Sequence, residues 1–202
     1  MRTRAFTLVE MIVSLAIFMI VAVVALAALV KIIDANAKAQ TIQAAVTSLS
    51  FSLDSMSREL RSGSSIYCLS SFSGSFDPSA MSGAGNCSSS GQNQLIAFKS
   101  SVLDPNSTPP CNLIYAYEFV PNSNGTYSLE KAQQTKDGHN CADTLSSFTS
   151  VIPSNVVLTS YQMGMSSSQF PLVFINLSGY AGTKAETQTF FTVQTAASPR
   201  TP

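Results

Sequence analysis

The sequence predicts an α+β protein in which one very long N-terminal helix carries a β-rich head. Three observations lead there. Residues 6–62 contain neither proline nor glycine, so nothing interrupts a helix over that span. Within it, residues 11–30 are apolar except for Ser14. After Gly63 the composition turns abruptly to Ser, Gly, Asn and Thr, with short β-prone runs between turn signals, the pattern of an antiparallel sheet with surface loops.

The apolar run comes first. About 20 apolar residues rising about 1.5 Å each cover the hydrocarbon core of a bilayer, so residues 6–30 are expected to span a membrane. The helical pattern runs on through Lys31, Ile32, Ile33 and Asp34, unlike a secretory signal with its short core and small-residue cleavage site. Arg2 and Arg4 precede the span while Lys31 and Asp34 offset each other after it. The excess of positive charge places the N-terminus in the cytoplasm and the bulk of the chain outside. Glu10 sits at the head of the apolar run. An ionised carboxylate at the edge of hydrocarbon costs several kcal/mol unless it is paired, so Glu10 requires a cation.

The segment Arg4-Ala5-Phe6-Thr7-Leu8-Val9-Glu10 followed by an apolar helix resembles the class III signal of type IV prepilins and type II secretion pseudopilins. The resemblance implies cleavage by prepilin peptidase between Ala5 and Phe6 and N-methylation of the new terminus at Phe6. It also implies pairing of Glu10 with the Phe6 amine of a neighbouring subunit during filament assembly. Ala5 stands where the family usually has glycine, a small side chain in either case. The span also lacks the Gly and Pro that many major pilins carry, so a more continuous rod is expected. The division that follows is a leader at 1–5, a transmembrane half-helix at 6–30, an amphipathic half-helix at 31–63 and an extracytoplasmic head at 64–202.

In the second half of the helix Ile32, Ala35, Ala39, Ile42, Val46, Leu49, Leu53, Met56 and Leu60 recur at steps of three and four, the stripe of one helix face. This stripe is expected to lie under the head; a coiled coil with another chain is disfavoured because the stripe is Ala-rich and its flanks carry few charges. Gly63 is placed as the C-cap, ending a helix about 85 Å long. Arg58 and Arg61 suit the negative end of its dipole. The stretch from Leu53 to Gly63, with Arg58-Glu59-Leu60-Arg61, resembles the helix end of long minor pilins and J-type pseudopilins, and Phe190-Phe191-Thr192-Val193-Gln194-Thr195 before Arg200 resembles their last strand.

Residues 62–91 read as a Ser/Gly-rich loop, and strands are expected at 95–99, 113–120, 126–130, 156–163, 172–180 and 187–195. Asn122-Ser123-Asn124-Gly125 marks a hairpin. Roughly 140 residues after the helix suit one domain. Four cysteines, Cys68, Cys87, Cys111 and Cys141, all on the oxidising side of the membrane, read as two disulfides; three pairings are open and the sequential one is favoured. Each such loop of about 20 to 30 residues contributes roughly 3 kcal/mol in the chain-entropy model. No C-x-x-C is present and only His139 could assist, which disfavours zinc. Asp104, Asp137 and Asp143 lie in loops without EF-hand spacing, so no metal or other cofactor is expected.

Catalysis is not expected either. The chain has a single histidine, no G-x-S-x-G, no phosphate-binding glycine loop and no H-E-x-x-H, so nucleophile–base chemistry lacks its parts. With 11% charged residues and net charge zero, and with Lys99, Lys131, Lys136, Lys184 and Arg200 scattered singly, direct nucleic-acid binding is not expected. The resemblance implies a minor pilin or pseudopilin in the inner membrane, then in a surface or periplasmic filament. Its implied partners are other pilin subunits through the helix, the prepilin peptidase and the inner-membrane assembly platform. The alternatives are an adhesive or substrate-binding tip module, betrayed by an exposed apolar or aromatic patch on the head, and a signal-anchored protein that never polymerises.

Overall fold

The computed structural model describes residues 7–72, 74–78, 81, 87–104, 110–134, 144–145, 147–166, 172–182 and 188–199. One helix, α1 (Leu8–Ser62), precedes eight strands: β1 (Ser64–Leu69), β2 (Leu95–Asp104), β3 (Cys111–Pro121), β4 (Tyr127–Gln133), β5 (Thr149–Ser150), β6 (Val156–Met165), β7 (Val173–Ala181) and β8 (Thr189–Ala197). The strands form one sheet in the order β1-β2-β3-β4-β6-β7-β8, antiparallel at every pairing, with the short β5 on β4. The α+β expectation holds.

Alternation of side chains across β2 and β3 builds two cores. Ile96, Phe98, Tyr117 and Phe119 face α1, where they meet Leu49, Leu53, Met56 and Leu60. Leu95, Ala97, Ile114 and Ala116 face the other way, onto Phe76, Met81 and Leu145. The Ser/Gly-rich segment therefore supplies a lid for the back of the β1–β4 half. It also contains β1, in a stretch expected to be loop: Ile66, Tyr67, Cys68 and Leu69 are β-prone, but a bulge between Ser64 and Tyr67 breaks their alternation.

The sheet is pinched in the middle. β4 and β6 share a single register pair, Tyr127 with Leu158. Beside the Met163 end of β6 lies the segment around Gly91–Asn93, with Met163 N–H donating to Gly91 O at 2.9 Å and Asn93 Nδ2 donating to Met163 O at 2.9 Å. Cys68–Cys87 is a disulfide that ties this segment to β1, the first of the favoured pairs. Cys111 is also disulfide-bonded; Cys141 lies outside the described residues.

One detail of the long helix differs from expectation. The buried stripe begins only at Ala45 and continues through Leu49, Leu53, Met56 and Leu60; Ile32, Ala35 and Ala39 are exposed, Ile42 is half-buried and Val46 is 50% exposed. The periodicity outruns the sheet available to cover it. Gly63 is the C-cap of α1, as expected, with an extended backbone, φ −83° and ψ 161°. Glycine is needed there for space, because a Cβ would meet Phe98 Cδ2 at 2.5 Å. The hairpin at Asn122 does use a left-handed glycine: Gly125 has φ +76°, and Asn122 N–H donates to Thr126 O at 2.8 Å.

Candidate functional site: the amino-terminal half of the long helix

Thr7 starts the helix. Its hydroxyl accepts from the Glu10 N–H at 3.3 Å, satisfying one of the donors that a helix N-terminus leaves unpaired. Glu10 thus lies in the first turn, where the positive end of the helix dipole favours a carboxylate. One turn on, the Ser14 hydroxyl donates to the carbonyls of Glu10 and Met11 at 2.8 and 3.0 Å. The one polar side chain of the apolar run is therefore satisfied within the helix, which is what hydrocarbon demands.

Among the described residues nothing in the head covers this half of the helix. Large apolar residues from Leu8 to Ile33 stand in the open, Phe18 at 68% exposure. α1 is long and apolar enough to cross a membrane, with none of its most apolar window buried. Among the described residues Glu10 has no ion-pair partner; the salt bridges there are Arg58–Asp54 and Lys131–Glu59. The expected processing residues Ala5 and Phe6 lie outside the described residues, as do Arg2 and Arg4.

Residues 1–26 match the family model of the prokaryotic N-terminal methylation motif. The chain carries the hallmark N-terminus of the type IV pilin and pseudopilin family. No curated protein and no solved structure matches the chain. The motif is the hallmark of prepilin-peptidase substrates of the type IV pilin kind, and α1, which begins within it, is long and apolar enough to cross a membrane.

At the other end of α1 the head is locked on by a group that sequence reading missed. Glu59 accepts from Lys131 Nζ and from the Tyr117 hydroxyl, both at 2.6 Å. The same ammonium lies 4.8 Å from the Tyr115 ring centroid and 5.6 Å from that of Tyr117. Burial, then the bond to Glu59, push the Tyr117 hydroxyl pKa well above its usual value. The network ties α1 to β3 and β4, and a carboxylate near the negative helix end requires such compensation. Lys131 is 72 residues from Glu59 in the chain, so no local pattern announces the pair.

Among the described residues no group of three His, Cys, Asp or Glu could hold a metal; Asp137, His139 and Asp143 lie outside them. On the back of the sheet Glu118, 5% exposed, faces Glu130 across the β3–β4 ladder. Burial, with the Glu130 charge second, raises its pKa to about 7.

Proposed function

We propose that the chain is a minor pilin or pseudopilin, a non-catalytic structural subunit of a filament. Prepilin peptidase cuts between Ala5 and Phe6, and the new amine at Phe6 is N-methylated. The subunit then enters at or near the tip of a type IV pilus or type II secretion pseudopilus and helps to initiate its assembly. One observation carries the reading: an apolar half-helix, uncovered by the described residues of its own head, begins inside the matched methylation motif with Glu10 in its first turn. The large disulfide-clipped head and the Arg58-Glu59-Leu60-Arg61 helix end support the long minor subfamily.

The mechanism is charge neutralisation combined with helix packing. The carboxylate of Glu10 and the amine of Phe6 on an adjacent subunit are each costly in lipid and cancel when paired. That pair selects one axial register between neighbouring helices, and apolar side chains then pack along the shared length.

Two measurements test this. The N-terminal peptide from sheared surface filaments should begin at N-methylated Phe6, at low abundance relative to the major subunit; an intact Met1-Arg2 terminus confined to membranes overturns the proposal. Glu10→Ala should insert and be cleaved normally yet enter filaments at least tenfold less, and wild-type incorporation would sink the pairing.

A further inference from the structure

The two edges of the sheet are treated differently. β1, one edge, is six residues long, bulged between Ser64 and Tyr67, and bent at Ser65, whose φ is +52°. Such features blunt an edge against further pairing. β8, the other edge, is nine residues long, pairs with β7 in unbroken register from Thr189 to Ala197, and reads Thr-Phe-Phe-Thr-Val-Gln-Thr-Ala-Ala. It has no charge, no proline and no bulge, the usual protections of an exposed strand. Among the described residues nothing hydrogen-bonds to its outer side. Charge is absent from its neighbours too: β6, β7 and β8 contain no Asp, Glu, Lys, Arg or His.

We propose that β8 is a docking edge, completed in the assembly by the free edge strand of a different, co-assembling subunit; the inference rests on the filament reading above. Alternate residues of an edge strand present both N–H and C=O outward, so the occupant must be extended backbone. Its side chains must be uncharged, and a small residue is needed opposite Phe190, which is 77% exposed.

Symmetry rules out a second copy. An antiparallel β8–β8 pair relates two heads by a twofold axis perpendicular to the sheet. That rotation reverses the direction of α1, which lies on the sheet through β2, β7 and β8, so the two membrane spans would leave in opposite directions. A parallel β8–β8 pair turns one head over and sets the core-facing Phe191 and Val193 beside the partner's solvent-facing residues. The blunted β1 of another copy is no better as a donor.

The test is hydrogen exchange on the full chain. The peptide covering residues 189–197 is compared between native membranes with sheared filaments and the protein purified as a single chain in detergent. About half its amides should exchange at least tenfold more slowly in the native samples. Thr192→Lys combined with Gln194→Lys places two charges on the exposed face of the edge; it should abolish that protection and lower incorporation while near-ultraviolet circular dichroism shows an intact head. Equal exchange in both states overturns the inference, as does a doubly substituted chain that stays protected. A cross-link joining two β8 strands of this same chain also overturns it. If the chain enters filaments with β8 unprotected, only this inference falls. If β8 is protected in membranes but the chain is absent from filaments, the filament reading falls and the docking edge stands.

Discussion

The two ends of α1 carry a carboxylate each, and their surroundings are opposite. Glu59 sits at the unfavourable end of the helix dipole and is matched within its own chain by Lys131 and Tyr117. Glu10 sits at the favourable end and has no cation among the described residues. The side chains around them follow suit. Leu49, Leu53, Met56 and Leu60 are buried against the sheet, whereas Leu8, Ile12, Leu15 and Phe18 are open. One continuous helix is thus finished at one end by intramolecular packing and left unfinished at the other. On the filament reading proposed above, this asymmetry is needed, because covering the apolar half within the monomer would remove the surface that packs against other subunits.

Substitutions that separate the two ends sharpen the comparison. Met56→Ala opens a cavity between α1 and the sheet and should cost about 3 kcal/mol, read as a fall in the thermal midpoint of the head in detergent. Glu59→Ala strands the Lys131 ammonium in a partly buried site, and a loss of roughly 2 to 3 kcal/mol is expected in the same measurement. Adding Lys131→Met should restore part of that loss; full additivity would show that the two residues do not act as a unit.

Glu118 offers a pH test of the head without touching α1. Its pKa is raised to about 7 from 4.5 in the folded state, so the folded chain binds more protons between those values, and stability falls as pH rises through that window. The head should be roughly 2 kcal/mol more stable at pH 5 than at pH 8 from this group, at about 1.4 kcal/mol per unit with some relaxation. Glu118→Gln should flatten the profile; a slope that persists would assign it to other groups. The smallest effect belongs to the open end. Phe18→Ala should leave the thermal midpoint of the head unchanged within about 0.5 kcal/mol, and a larger loss would mean that the head does cover this half of α1.

By itself the sequence determined what depends on neighbours along the chain. The absence of Gly and Pro, the apolar run and the step of three and four fixed the extent of α1, and Asn122 to Gly125 placed the β3–β4 hairpin, because helix and turn propensities are local. Glu10 stood out as a candidate functional residue because a charge in an apolar run is conspicuous without any fold. The tertiary structure decided the rest. Where the stripe stops being covered depends on how far the sheet reaches, so Ile32, Ala35 and Ala39 looked like core and are not. Gly63 is required by Phe98, which arrives from β2 to pack against the helix end. The Glu59–Lys131 lock, the buried Glu118 and the contrast between the β1 and β8 edges exist only once strands distant in sequence lie side by side. Long-range pairing carries no periodic signature that a single chain displays.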